Sequence, residues 1–558
     1  MLNLTLFLFT YILIIFSVLG YGVFFEKIFY DKSNSVSNIG YTGLIGVFFL
    51  IIYSYFSHFF IAHGYFHNVL VLLLGLIIFF YFSSVLFKKL DKFFFTIFIL
   101  LFFGLILFKT HDDFPYYHFP YTYYLVENKL VIGVGQFNHG FKTPSSIFYL
   151  NSLFYLPVVK YYTFYFSAVI IMGFSNLVII SKIIEKIKEK NIDNLFYFYL
   201  IIIIFINIFF YRIQEHGTDR SAQILIFLIF VELLIFVKFQ KNNIRNISNL
   251  FLLLGLVISL KSFYILYGLI LFPILFILIK EKKLSLIKDN LSNKFFLSFL
   301  LLLILIVSVN FFNSGCLVYP VSQLCFDLQW SLGPNQAEHM NQWYQQWSKA
   351  GASPNFRVEN PEIYIKNFNW VSNWINIYFF NKVSDFLLGI IFLALIMVIT
   401  FYKSKRANLI INKNNLLIYF SFLILFLEWF YNHPALRYGG YCLISIILFY
   451  PISVLLAKFN NSFLEINKKV SILFIITIII FVGRNISRIS DEYKQYAYNP
   501  IKNVYYRIDE SHFRIEKGLK KIINNYKNCE MKNIKCDKES SIIVKKTITN
   551  NYKLIIKK

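Results

Sequence analysis

Charged residues are scarce in this chain: Asp, Glu, Lys and Arg together make up 15% of 558 residues, and only 29 of them are acidic against 54 basic. So little charge excludes an ordinary soluble domain, whose surface needs more. Cysteine is scarcer still, with five residues, and no Cys/His spacing of a recognised metal motif occurs, which excludes a zinc-finger or iron–sulfur scaffold. No convincing short repeat is present, so solenoid architectures are excluded. A net charge of +25 invites a nucleic-acid partner. The lysines, however, are spread over short loops and the last 75 or so residues without a recognisable binding module, and no nucleic-acid partner is expected. The first apolar segment lacks a basic n-region and a small-residue cleavage site, and is expected to be a retained helix instead of a signal peptide.

What the chain has in abundance is apolar surface: 58% hydrophobic residues, 20% of the chain aromatic, and a positive mean hydropathy. About fourteen apolar runs, most of them long enough for a hydrocarbon core of about 30 Å, recur along it. They lie near 3–24, 41–62, 66–87, 93–108, 162–181, 195–211, 222–237, 249–260, 262–279, 294–312, 385–402, 414–432, 438–457 and 470–483. The expected fold is an all-α integral membrane protein with about 14 transmembrane helices. The eighth run is short, so it and the ninth are expected to form a broken or tilted hairpin around Lys261.

Alternate loops are basic: Lys88 to Lys92, Lys182 to Lys190, Lys238 to Arg245, Lys280 to Lys294, Lys403 to Arg406, and Lys468-Lys469. Short basic loops stay in the cytoplasm. That rule puts both termini outside, and sets four segments on one outer face: the loop at His111, residues 212–221, residues 313–384 and the tail after 484. The expected organisation is an N-terminal helical region (1–109), an outer loop with an interfacial helix (110–161), central helices (162–312), a second outer loop (313–384), C-terminal helices (385–483) and an extracytoplasmic tail (484–558). Cysteine placement agrees, because disulfides persist outside the cytoplasm. Cys316 and Cys325 share one outer loop and Cys529 and Cys536 share the tail, so both pairs are disulfide candidates, while Cys442 falls within an apolar run. In the tail, apolar stretches such as Ser541-Ile-Ile-Val544 alternate with polar ones, as a small mixed α/β appendage would.

The densest polar segment is Lys109-Thr-His-Asp-Asp-Phe-Pro-Tyr-Tyr-His-Phe-Pro120. Carboxylates and imidazoles at the rim of a membrane helix are costly, and they mark a catalytic or ligand-holding site. Asp112 or Asp113 is placed to cap a helix with Pro115 in its first turn. The aromatic residues that follow suit a helix lying along the interface. Around them the segment offers His111, Tyr116 and His118. Downstream, Gly133, Gly135 and Gly140 punctuate a loop carrying His139, Lys142, Ser145 and Ser146, a weak phosphate-cradling signal. A second polar loop, Gln214-Glu-His-Gly-Thr-Asp-Arg220, supplies Glu215, His216, Asp219 and Arg220; a third, Asn432 to Arg437, supplies Arg437; Lys261 stands alone among apolar residues. Plainer roles exist for each. The aspartates serve as caps, Lys261 snorkels to the head groups, Arg437 anchors a helix end with Glu428 as ion-pair partner, and each histidine bonds at the interface.

These residues together resemble the C-type membrane glycosyltransferases, which include protein O-mannosyltransferases and aminoarabinose transferases, and especially their poorly characterised bacterial members. The resemblance rests on Asp112-Asp113-Phe-Pro-Tyr116-Tyr117. The Gly-containing loop, Gly217-Thr-Asp219, Ser314-Gly-Cys-Leu-Val-Tyr-Pro320 with Trp330, and Pro434-Ala-Leu-Arg437-Tyr extend it over residues 110 to 440. Four apolar runs precede the acidic loop, where many members have one. The resemblance implies a sugar donor linked to polyprenyl phosphate, a hydroxyl acceptor in the cell envelope (glycan, lipid or protein), and a bacterial inner (cytoplasmic) membrane with the active face extracytoplasmic. In that chemistry Asp112 is the expected base, with Asp113 as rival. Arg437, Lys261 and His118 are expected on the phosphate, and Asp219 orients the acceptor or, with Asp112, holds a divalent ion if one is used. Two alternatives share these features: an O-antigen-type polymerase or ligase, and a flippase for lipid-linked glycans.

Overall fold

The structure is a computed structural model, and it describes residues 2–30, 38–239, 244–282, 292–352, 358–404, 413–459, 461–502, 542–546 and 553–557. Each of the apolar runs coincides with a helix. Among the described residues ten helices are long and apolar enough to cross a membrane, and four shorter apolar helices, Tyr65–Tyr81, Lys92–Leu105, Asn194–Phe209 and Arg245–Leu260, accompany them. The break foreseen at Lys261 is present. The Ile244–Leu260 helix stops, Lys261 takes an extended conformation, and the chain resumes as a 3₁₀ stretch, Ser262–Ile270, leading into Leu271–Lys280.

Helices that are apolar all round belong inside a bundle. Asn194–Phe209 fits that description, and Asp219–Phe239 lies inside as well despite its buried Gln223 and Glu232, with Phe198, Leu200, Ile224 and Phe227 completely buried. The outer layer includes Lys294–Ser314, Ser384–Phe401, Lys413–Asn432 and Phe463–Tyr496, which leave Ile304, Phe392, Leu427 and Ile479 more than half exposed, as lipid-facing side chains would be. The N-terminal helices pack most closely. Gly22 of Leu2–Phe29 abuts the carbonyl of Thr42, and Gly46 of Ile39–His58 abuts the carbonyl of Val18, so the two backbones meet through a pair of glycines.

The helix that follows the acidic segment, Phe119–Glu127, is not the interfacial helix expected. It buries Phe119, Tyr121, Thr122 and Leu125 under protein, with Tyr121 against Tyr149 of Ser146–Leu153 and Phe119 against Phe164. Its aromatic side chains face neighbouring segments of the chain on more than one side, so they form core. Strands Ile542–Lys546 and Lys553–Lys557 pair antiparallel, with Val544 opposite Ile555. The second strand docks on the segment that follows Phe119–Glu127, where the Ile555 amide donates to the Ile132 carbonyl at 2.9 Å. The Cys316–Cys325 pair is joined as a disulfide; Cys529 and Cys536 lie outside the described residues.

Gly46→Val, which drives a side chain into the Val18 carbonyl, is expected to cost about 1–3 kcal/mol or more. Gly483→Ala, at a helical position where an added Cβ meets nothing within 4 Å, is expected to be neutral or mildly stabilising. Thermal melting in detergent checks both, and equal melting temperatures would contradict the packing described.

Candidate functional site

The acidic segment is held from below before it reaches its aspartates. Glu492, on the last long helix, accepts the amides of Phe108 and Lys109 at 2.6 and 2.9 Å. The Gln214 side chain donates to the carbonyls of Leu105 and Leu107, and the Gln214 carbonyl accepts the His111 amide. The chain then turns, with the Asp113 amide donating to His111 Nδ1 at 3.0 Å, and enters a wide helical turn over Phe114–His118. Pro120 has no N–H to give the Tyr116 carbonyl. Asn138 supplies the missing donor, reaching that carbonyl at 3.2 Å.

Asp113 precedes this turn, yet its side chain does not cap it. Oδ2 instead accepts from Arg437 Nη2 at 2.7 Å and from the Tyr117 hydroxyl at 3.2 Å. Arg437 Nε donates to Asp219 Oδ2 at 2.9 Å, and the other Asp219 oxygen is held by Lys261 Nζ. Four charges of alternating sign, drawn from four separate segments, thus form one chain: Asp113, Arg437, Asp219, Lys261. Aromatic faces line it. The Arg437 guanidinium lies 5.4 Å from the Trp347 ring and 5.6 Å from Tyr438, and Lys261 sits 4.0 Å from the Tyr438 centroid.

Arg437 is presented by a rigid stretch. Trp374 and Trp429 donate their indole N–H groups to the carbonyls of Pro434 and Ala435, both at 3.0 Å. Tyr378 accepts the Leu436 amide at 2.9 Å, and the Gln223 amide reaches the Arg437 carbonyl at 3.1 Å. Asp219 opens its helix, where a carboxylate is stabilised by the free amides of the first turn.

Burial alone would raise the Asp113 carboxyl pKa, but the Arg437 guanidinium outweighs it and holds the group well below the usual range. Burial pushes His118 down to about 3 and His216 likewise to about 3. His111 is lowered by burial against the opposing pull of Asp113. Near neutral pH the site therefore holds ionised Asp113 beside neutral imidazoles.

The other candidate residues divide clearly. Asp112 is exposed and makes no hydrogen bond among the described residues. Tyr116 is exposed too, its ring against His139. Lys142 is buried under the disulfide loop, its ammonium 3.2 Å from the Tyr319 hydroxyl. Glu215 belongs to a neighbouring cluster, paired with Arg488 at 2.6 Å and Arg212 at 3.4 Å. His216 Nε2 meets the Phe210 carbonyl, and Arg220 reaches back to the Arg212 carbonyl.

Three plain readings are corrected by this geometry. Asp113 is not a cap, because the charged partner Arg437 outcompetes a backbone amide. Arg437 does not pair with Glu428, which accepts from Asn432 on its own helix. Lys261 turns to Asp219 and does not reach past it to head groups. Tyr117, Trp347, Tyr438, Gln214 and Glu492 were not singled out as site residues. Tyr117, Gln214 and Tyr438, each within or next to a quoted motif, were within reach; Trp347 and Glu492 act through contacts no local spacing reveals. A divalent ion on Asp112 and Asp219 does not fit, since Asp112 is turned outward and both Asp219 oxygens are engaged. The described ligand-bearing side chains that converge are His111, Asp113 and His118.

Arg437→Gln leaves Asp113 without its cationic partner and Asp219 with Lys261 alone. Because the guanidinium is 29% exposed, a loss of about 2 kcal/mol is expected. A thermal-melting cycle with Asp113→Asn checks it: the double variant is expected to lose less than the two singles combined, and additive losses would deny the coupling.

No curated protein and no solved structure matches this chain. A family model does, over residues 4–444, and its description is a domain of unknown function (DUF8201). That match spans most of the sequence and takes in Asp113, Asp219, Lys261 and Arg437, the four charges of the site. The chain belongs to the DUF8201 family.

Proposed function

We propose that this protein is a C-type membrane glycosyltransferase that moves a sugar from a polyprenyl-phosphate donor to a hydroxyl acceptor of the cell envelope. The observation that carries the reading is the fixed guanidinium of Arg437. Two carboxylates and two aromatic rings hold it in place, and only part of its donor fork is used. A departing phosphate needs positive charge that is already oriented, and Arg437 with Lys261 provides it at the ends of apolar helices, where a lipid-linked substrate presents its head group.

The two aspartates then have different work. Asp113, bound to Arg437, is a poor proton acceptor and serves to aim the guanidinium. Asp112, exposed and unpaired, is the general base. It takes the proton from the acceptor hydroxyl as the acceptor oxygen bonds to the anomeric carbon. The bond from that carbon to the phosphate oxygen breaks, and the lipid phosphate leaves against Arg437 and Lys261. In this reading all fourteen apolar helices span a bacterial cytoplasmic membrane, with both termini, the site and the C-terminal strands on the extracytoplasmic side. An O-antigen-type polymerase is less well supported, because its arginine-rich outer loop has no counterpart in residues 313–384, which contain only Arg357.

The test is release of free polyprenyl phosphate from a panel of lipid-linked sugars by the purified protein in lipid discs. Asp112→Asn is expected to lower release by a factor of about 100 or more, and Asp113→Asn to weaken donor binding as well as turnover. Unchanged release in both variants would sink the assignment. Movement of the lipid across the bilayer without release would favour the flippase.

A further inference from the structure

The side chains of His111, Asp113 and His118 each offer a ligand atom, and the three atoms lie within 4.8 Å of one another. Around a tetrahedral ion with bonds of about 2.1 Å, ligand atoms stand about 3.4 Å apart, so modest side-chain rotations would close the set. The cluster alone would be unremarkable in a polar loop, but His118 adds an independent sign. It is 5% exposed, and its Nε2 has no hydrogen-bond partner among the described residues. Burying an imidazole nitrogen without a partner is costly, and such atoms call for an occupant.

The surroundings fit one. The rings of His111 and His118 lie nearly parallel, 21° apart, with centroids at 5.4 Å. The chain crosses both at Gly217, where an added Cβ would come within 3.2 Å of each ring. On Asp113, Arg437 and Tyr117 use Oδ2 only, and Oδ1 makes no hydrogen bond among the described residues.

We propose that His111, Asp113 and His118 bind a divalent transition-metal ion of the zinc class, with one coordination position left for an anionic ligand. Two imidazoles with one carboxylate suit Zn²⁺, whereas Mg²⁺ prefers oxygen ligands and retains its waters. Charge counting adds a second expectation, which rests on the function proposed above. The ionised groups Asp113, Asp219, Arg437 and Lys261 sum to zero. A bound dication leaves an excess of two positive charges, which a phosphate neutralises, so ion and phosphate reinforce each other's binding.

The experiment uses the full chain in lipid discs, purified without a histidine tag, stripped with chelator, titrated with Zn²⁺ or Mg²⁺, washed and assayed for metal per chain by mass spectrometry. One Zn²⁺ per chain and no retained Mg²⁺ are expected. His339→Ala, at an exposed position on the Pro334–Lys349 helix, is expected to keep the ion. His118→Ala and the less buried His111→Ala are each expected to lose at least nine-tenths of it while melting as a folded protein. No stoichiometric Zn²⁺ in the parent, or full retention in both folded variants, overturns the site. Inorganic phosphate is expected to tighten Zn²⁺ binding at least fivefold, and an unchanged affinity overturns the anion coupling. Stoichiometric Zn²⁺ without any lipid-phosphate release would sink the transferase and leave the ion site standing. Lipid-phosphate release by a parent protein that takes up no stoichiometric Zn²⁺ would do the reverse.

Discussion

The site depends on one arginine placed between two acids. Arg437 joins Asp113 and Asp219, which are 324 and 218 residues away in sequence. A planar guanidinium can satisfy both because its donors form a fork of fixed shape, whereas a lysine would offer a single point charge to one of them. Through this bridge the acidic loop, the start of a buried helix and the turn before Gly440 become one mechanical unit. Lys261 extends it to the break between two further helices.

A mixed-charge chain at a bundle end is stable only when every member has a partner. Here the geometry also separates two carboxylates that are neighbours in sequence. Asp113 turns inward and is neutralised, while Asp112 turns outward and stays free. One backbone turn, set by the bond from the Asp113 amide to His111 Nδ1, thus gives adjacent identical residues opposite chemical characters. The indole and tyrosine contacts behind Arg437 serve the same end, since they fix the carbonyls and amides of residues 434–437 and leave its side chain little choice of direction.

What was legible in the sequence was local. Apolar runs register as helices because helix length and hydrophobicity are properties of a short window, and the break at Lys261 was visible for the same reason. The membership of the polar cluster was also largely visible, because Asp113, Asp219, Lys261 and Arg437 each stand out against an apolar background. Their pairing was not. A cap for Asp113 is what local rules favour, and it lost to a charge-assisted bond from a residue no window contains. Glu492 shows the limit most clearly. It holds backbone amides 384 and 383 residues away, and a backbone amide has no signature in sequence. The aromatic segment 119–127 misled for a related reason, since its composition suits a lipid interface and a protein core equally well.

The pairing of Ile555 with Ile132 ties the order of synthesis to the order of assembly. The acceptor carbonyl at Ile132 leaves the ribosome more than four hundred residues before the amide that binds it. Throughout that interval the loop segment beside Gly133 has neither this bond nor the cover of the second strand. This segment is therefore completed late, after the helices that carry Asp219, Lys261 and Arg437 have been made. A nascent chain passes through a stage in which its helices are all present and that segment is still uncovered.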